Sequence, residues 1–315
     1  MNILFTNVGR RTYIIEYALA EKINYKNLEI HVAENDKFSA AVNLDKRLKI
    51  HHTPLVLKNG NKYLKSLFKI VKKNKIHLII PLADYDLEIL SRNKKKFKNL
   101  GCKVLISSSN LIKTFYDKRL TYSFCTKNKI KTPKIYLNQK SLKLNKSKIV
   151  VKKDIFGSAS SGYLKLKKNS NLIFKDKNSL IQEHINGIEL HFDILNDFNG
   201  KFLSTCVKKK FLMRAGETDK AEIIYKKKYI SLAKKISKIS KHVGNLDCDV
   251  IKSKRGDLYF IDFNPRFGGG YPFTHISGYN FIKAILDLML NKKPIFPKKP
   301  NLIKASKGIN IHVSK

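Results

Sequence analysis

Two strand-like stretches late in the chain carry oxygen-bearing side chains at every second position. Asp247 and Asp249 lie in the apolar run 246–252. Asp262 and Asn264 follow the apolar run 258–261, with Arg266 and the glycines Gly268, Gly269 and Gly270 just beyond. Residues two apart on a strand share a face. A two-residue turn at Arg255-Gly256, with glycine supplying positive φ, would pair Asp249 with Asp262 and Asp247 with Asn264. The four side chains then form one patch. Opposed carboxylates repel, and a divalent cation removes that cost. Carboxylates with an amide are hard oxygen ligands that suit Mg²⁺, with phosphate and water completing its shell. Arg266 adds a fixed bidentate donor for phosphate or an acyl oxyanion. The glycines would let backbone amides approach an anion closely. The plainer alternative makes these acids solvated strand-end residues. Val250, Ile251, Phe260 and Ile261 argue against it, because they read as core positions of both strands.

A second set reads as a phosphate grip. The apolar pair Val150-Val151 runs into Lys152 and Lys153, and the small-residue loop 157–162 follows, with Gly157, Ser158 and Ser160. Lysine beside exposed N–H donors holds phosphate, although the Walker A pattern is absent. A flexible surface loop is an equal reading of these residues alone. In 180–189 an apolar strand ends in Gln182-Glu183, turns at Asn186-Gly187 and restarts at Glu189. Such an edge can offer backbone groups to a base and a carboxylate to ribose hydroxyls, or it can be only a turn. His184 and His191 lack a ligand spacing and read as structural.

The elements that would hold these residues fall into two styles. Strands at 2–8, 28–33, 77–81 and 103–106 alternate with helical spacing at 13–23, 62–73 and 87–97. That alternation predicts a parallel, doubly wound sheet, which takes ligands beyond the carboxyl ends of its strands. Gly9-Arg10-Arg11 and the acidic stretch 84–88 lie there. After about residue 112 the pattern changes. A helix at 113–127 precedes strands at 148–153, 178–184, 189–195, 201–207, 246–252 and 257–263, with helices at 230–242 and 281–291. Hairpins with helices alongside predict α+β.

The chain has 315 residues, 43% of them hydrophobic, enough for more than one domain. No apolar run approaches the ~20 residues of a membrane span, and the first residues read as a strand rather than a signal peptide. Cys102, Cys125, Cys206 and Cys248 are widely spaced, which fits a reducing cytoplasm. Sixty-four Lys and Arg face 24 Asp and Glu, giving a formal charge of +40. The excess is mostly lysine spread along the whole chain. A nucleic-acid surface would cluster arginine with aromatics, so coding bias over solvated faces is the favoured reading and nucleic acid is not the expected partner.

Taken together, the stretches NVGRRTYIIEYAL, IIPLADYDLEIL, YDKRLTYSF, VVKKDIFGSASSG, LIQEHINGIELHFDIL, KKKFLMRAGE and YFIDFNPRFGGGYP resemble the ATP-grasp superfamily, and within it the proteins similar to the large subunit of carbamoyl phosphate synthase. The resemblance spans essentially the whole chain. It implies an α/β, Rossmann-like pre-ATP-grasp domain over 1–112, then a two-subdomain α+β ATP-grasp fold over 113–184 and 185–315. It implies ATP and Mg²⁺, or Mn²⁺ in its place, as cofactors. Lys118 and Lys153 would be the nucleotide lysines, with Lys152 competing for the second position. Gln182, and Glu183 and Ile185 through their backbone, would hold the adenine, and Glu189 the ribose. Asp249, Asp262 and Asn264 match the metal ligands and Arg266 the phosphate-facing arginine. Lys210 and Arg214 fall in the segment lining the phosphoryl end. Asp262 is one methylene shorter than the usual glutamate, Asp154 replaces a proline after the second lysine, and Gln182 lacks the usual charge.

The chemistry implied is attack of a substrate carboxylate on the γ-phosphorus, then of an amine or ammonia on the acyl phosphate, with loop 157–162 as a lid. The alternatives are a carbamoyl-phosphate-type kinase, and a nucleic-acid binder on a degenerate scaffold. Arg10, Arg11, Asp84, Arg214 and the loop 271–277 are the candidates for the acceptor pocket, the arginines favouring an anion. The expected partners are small-molecule carboxylates and amines, no membrane, and a homodimer as a common outcome for this size.

Overall fold

The structure, a computed structural model, describes residues 1–143, 148–157, 162–168 and 176–308. Five strands open the chain: β1 (Asn2–Thr6), β2 (Glu29–Glu34), β3 (Lys49–His52), β4 (Leu78–Pro81) and β5 (Lys103–Val104). They pair in parallel in the order β3-β2-β1-β4-β5. The strand order changes direction between β1 and β4, with β2 and β3 added on one side and β4 and β5 on the other, so ligand-facing loops gather at their carboxyl ends. The loop 7–11 and the turn at 82–86 sit at that point.

Helix α1 (Thr12–Ala20) covers one face and α2 (Gly60–Lys73) the other. Helix α2 begins where the Asn59 side chain accepts from the Lys62 N–H, and it buries Tyr63, Leu67, Ile70 and Val71 along one stripe. The predicted helix over 87–97 is two, α3 (Leu87–Arg92) and α4 (Lys94–Asn99). The break falls at Asn93, whose amide donates to the Ile89 carbonyl at 2.8 Å.

The predicted helix over 113–127 is likewise interrupted. Helix α5 (Ser109–Tyr116) ends at Asp117, whose backbone is extended and whose side chain caps α6 (Lys118–Lys127). The Lys118 N–H donates to Ile155 O at 3.1 Å. A continuous helix would have carried Lys118 away from that strand end.

A four-stranded antiparallel sheet follows, in the order β6 (Ile135–Tyr136), β9 (Ser179–Glu183), β7 (Ile149–Asp154), β8 (Leu164–Lys167), with the short α7 (Gln139–Lys143) on it. The third sheet is antiparallel, ordered β14-β13-β10-β11-β12-β15. Its strands are β10 (Gly187–Asn196), β11 (Phe202–Arg214), β12 (Glu217–Ile224), β13 (Gly244–Ser253), β14 (Leu258–Asn264) and β15 (Lys304–Ser306). One face buries Leu190, Phe192, Val207, Leu246, Val250, Phe260 and Phe263 against α5, α6 and α8 (Lys227–Ser240). The sequence reading ended β11 at residue 207, where three lysines break the apolar pattern, and missed β12, whose buried positions include Thr218 and Asp219 as well as Ala221 and Ile223 and so show no clear apolar period.

The last hairpin differs from expectation at the turn and agrees at the acids. The Ser253 N–H donates to Asp257 O and the Gly256 N–H donates to Ser253 O, each at 2.9 Å, closing a three-residue turn, Lys254-Arg255-Gly256, with Gly256 at φ 87°. The register is therefore shifted by one near the turn, where Val250 faces Phe260. A bulge between Asp249 and Val250, on the β14 side at Ile261, restores it, so Asp249 faces Asp262 and Asp247 faces Asn264. Phe260 and Phe263 consequently both point into the core, stacked at 5.4 Å, while Ile251 and Ile261 are only half-buried.

Finally, α9 (Tyr271–Ile276) and α10 (Phe281–Met289) fold back onto the first sheet. Tyr271, Phe281 and Ile285 share one core with Ile3, Phe5 and Ile30. Among the described residues no helix is long and apolar enough to cross a membrane. All four cysteines are buried and free.

Candidate nucleotide and metal site

The other face of the third sheet is polar. Cross-strand register builds two adjoining rows on it. One runs Asp262, Asp249, His191, Lys208; the next runs Asn264, Asp247, Asp193. Side chains directly opposite one another on neighbouring strands share a face, so the two late acidic strands and the two middle strands form one charged surface.

The charges on it are paired. Lys208 is fully buried and donates to the Asp193 carboxylate, to Gly270 O at 2.9 Å and to Thr274 Oγ1 at 2.7 Å. Lys210 donates to Asp249. Burial alone would lower the Lys210 pKa, but Asp249 more than offsets this and raises it. His191 lies 2.9 Å from Asp247 and 3.3 Å from both Asp193 and Asp249. Burial opposes its charge, yet Asp247 and Asp193 hold its pKa up at about 10 against Lys208. His191, Asp193 and Asp247 bring ligand atoms within 4.8 Å of one another. Asp193 is already paired with Lys208 and Asp247 with Arg266, so this buried trio reads as a charge network rather than a metal centre.

Asp262 is different. Its Oδ1 accepts from the Phe263 N–H at 3.1 Å, and no cationic side chain pairs with it among the described residues. Burial, with Asp249 and Asp84 adding, pushes its pKa up to about 6, against Lys118 and Lys153. Lys153 is its counterpart. Burial drops that lysine to about 8, with Asp262 opposing, and its Nζ donates to Ile261 O at 3.3 Å. Lys118 donates to Gly157 O at 2.8 Å. A carboxylate and two lysines thus converge at one strand end without a direct ion pair. A divalent cation and phosphate would supply the missing counter-charges.

The remaining expected residues distribute as follows. Lys152 is on the opposite face of β7 from Lys153, 3.7 Å from Asp176, and is not gathered into the site. Gln182 is buried on the Lys153 face, opposite Val151. The Glu183 N–H already donates to Lys134 O at 2.8 Å. Ile185 is half-buried in the link between β9 and β10. Glu189 is largely exposed and 4.0 Å from Lys210. Ser158 and Ser160 lie outside the described residues. Arg214 projects from the β11 end onto Asp219 at 3.2 Å, with 57% of its side chain exposed. A cleft beside Asn264 and Gly157 is bounded by Asp84, Phe115 and Tyr116.

Arg266 ties the sheets together. Its Nε and Nη2 donate to Asp84 at 3.0 and 2.8 Å, and Nη1 donates to Asp247 at 3.0 Å. Burial opposes its charge, but Asp84 and Asp247 raise its pKa further.

The three glycines have a steric reason different from the one expected. A Cβ on Gly268 would lie 1.8 Å from Asp247 Oδ2, one on Gly269 2.7 Å from Glu217 Cβ, and one on Gly270 2.9 Å from His191 Nε2. They let the chain lie against the charged face.

Sequence reading missed His191, Asp193 and Lys208. The cue was present for two of them: Glu189, His191 and Asp193 alternate with apolar residues as the late acids do, whereas Lys208 sits in a run of three lysines.

Residues 3–105 match the family model of the PylC-like N-terminal domain, and residues 115–270 match that of the ATP-grasp domain. No curated protein matches the sequence. Solved structures do. The biotin carboxylase domain of Hydrogenobacter thermophilus 2-oxoglutarate carboxylase, in complex with MgADP, ADP and bicarbonate, is 13% identical with a TM-score of 0.70, over 94% of this chain and 70% of that one. N5-carboxyaminoimidazole ribonucleotide synthetase from Thermotoga maritima is 15% identical with a TM-score of 0.67, over 95% and 78%. L-amino acid ligase from Bacillus licheniformis is 16% identical with a TM-score of 0.66, over 92% and 74%. At such identities the likeness is one of fold. Joined to the two family matches and to a parallel sheet followed by two antiparallel ones, it assigns this chain to the ATP-grasp superfamily.

Proposed function

We propose that the protein is an ATP-dependent ligase that joins a small-molecule carboxylate to an amine or ammonia through an acyl phosphate. The observation that carries this reading is the convergence of Asp262, Asp249 and Asn264 with Lys153 and Lys118. It is a half-buried carboxylate without a cationic partner facing half-buried lysines without an acidic one among the described residues. Three solved structures of the same fold, a synthetase, an amino acid ligase and a carboxylase domain with MgADP, support it.

Asp249, Asp262 and Asn264 would hold Mg²⁺, which neutralises charge on the phosphates when bound. Lys153 and Lys118 would grip the phosphate oxygens, and Gln182 and the carbonyl of Glu183 would line the base. The substrate carboxylate attacks the γ-phosphorus and ADP leaves. The amine then attacks the acyl carbon and phosphate leaves. Arg266 and Lys210, released from Asp84 and Asp249, would meet the charge spreading over the transferred group. No covalent nucleophile is required of the protein; its part is positioning and exclusion of water from an easily hydrolysed intermediate.

The test is Mg²⁺-dependent release of ADP and phosphate against a panel of carboxylic acids, each with and without amines. Turnover needing both, and at least a hundredfold lower in Asp262→Ala, is the expected result. ADP formed with an acid alone would replace the ligase by a carbamoyl-phosphate-type kinase. Turnover intact in Asp262→Ala would remove the metal assignment.

A further inference from the structure

We propose that Arg11 and Lys307 form a subsite for an anionic group of the acceptor. The substrate class is then an acid bearing a second carboxylate or a phosphate, remote from the carboxyl that reacts. This rests on the ligase reading above and adds to it the class of substrate.

The subsite lies where the strand order of the first sheet switches, beyond the carboxyl ends of β1 and β4. Arg11 is anchored by Nη1, which donates to Leu82 O. Its Nε is shielded from solvent and has no hydrogen-bond partner among the described residues. The nearest carboxylate oxygen, Glu217 Oε1, is 3.7 Å away. Lys307 enters from the far end of the chain, directly after β15. Its Nζ donates to Glu217 Oε2 at 3.1 Å and to Gly269 O at 2.5 Å, and lies 4.9 Å over the Tyr13 ring. Burial depresses the Lys307 pKa, with Glu217 opposing.

Two cations therefore face one carboxylate, and a buried guanidinium N–H is left over. An unmet buried donor is costly, and a ligand oxygen would recover that cost. Glu217 behaves as a built-in partial stand-in for the anion: it reaches Lys307 well and Arg11 poorly. The position suits an acceptor. Gly269 packs on Glu217, and the adjacent Gly268 packs on Asp247, which holds Arg266. An acid reaching from the phosphoryl end to Arg11 and Lys307 would pass along the glycine run.

Of the three arginines that the sequence favoured, Arg10 and Arg214 are less suited than Arg11. Arg214 is committed to Asp219 and exposed, and Arg10 donates to Ala215 O at 2.8 Å.

The experiment is calorimetric titration of the full-length protein with glutarate, 3-phosphoglycerate and butyrate, with Arg11→Gln and Lys307→Gln as variants. At least one dianion is expected to bind tenfold or more tighter than butyrate, and to lose about tenfold in each variant. Glu217→Gln, which removes the competing carboxylate, is expected to tighten it. The winning dianion distinguishes carboxylate from phosphate. Dianions binding no tighter than butyrate, or tight binding that survives both substitutions, would overturn the subsite. MgADP titrated in parallel separates the two readings. If wild type does not bind MgADP, the ligase reading fails whatever the anions do. If it binds MgADP while the anion pattern is absent, only the subsite fails. The unfolding midpoint of each variant excludes misfolding as the cause of a loss.

Discussion

At the scale of single residues, the candidate site is a set of charges that lean on one another. Asp193 and Lys208 are both fully buried and satisfy each other, so they read as scaffold. Asp262 and Lys153 are half-buried and have no ion-pair partner among the described residues, so they read as waiting for a ligand. The distinction gives a sharp comparison between two neighbouring lysines. Lys153→Met is expected to weaken nucleotide affinity at least tenfold, because it removes a charge-assisted contact to phosphate. Lys152→Met, on the other face of β7, is expected to change it less than twofold to threefold. Titration of both variants with MgADP checks this, and equal effects would contradict the face assignment. Sequence could name the pair but not choose between them, because the choice depends on which face of the strand meets the third sheet. It also set His191 aside, since its carboxylate neighbours come from β10 and β13 and only register brings them together.

At the scale of elements, the late hairpin was legible because acids at alternate positions mark a face. Its turn was not. A two-residue turn and a three-residue turn with a bulge give the same pairing at Asp249 and Asp262, and only coordinates separate them. The helix breaks at Asn93 and Asp117 were equally hidden, since apolar spacing continues through both; the second break is what delivers Lys118. The glycine run carries a prediction at this scale. In Gly268→Ala the new methyl meets Asp247, itself held by Arg266, and neither is a flexible surface chain. We expect a loss of about 1–3 kcal/mol in urea unfolding and at least a tenfold loss of turnover. Wild-type values in both assays would mean that the glycine loop moves freely.

At the scale of the whole molecule, the buried histidines link stability to pH. His242 is fully buried and neutral. Its Nε2–H donates to Ile194 O at 3.0 Å, and Nδ1 accepts from Ser240 Oγ at 2.8 Å. Burial lowers its pKa to about 4, against 6.5 when exposed. Between those values the unfolded chain binds the extra proton, so stability from this group is complete above about pH 6.5 and lost as pH falls toward 4. The advantage of wild type over His242→Asn in unfolding free energy is therefore expected to shrink by up to about 3 kcal/mol between pH 7 and pH 4. A pH-independent difference would contradict a neutral His242. Overall, the parallel sheet and the α+β remainder were legible from strand and helix periods. The closure of the two ends of the chain on each other was not, because no local pattern reports contacts between residues 3–32 and 271–286.

That closure has a consequence for biosynthesis. The first sheet shares its core with α9 and α10, and Tyr25 and Glu21 bond to Asp287 and Asn280, each at 2.6 Å. On the ribosome, the strands made first would wait for helices made some 250 residues later. At translation rates of about 5–20 residues per second, that leaves an apolar face uncovered for roughly ten to fifty seconds. Nascent chains of this protein should therefore lean on chaperones at their amino-terminal third, and release from them should track the emergence of the last helices.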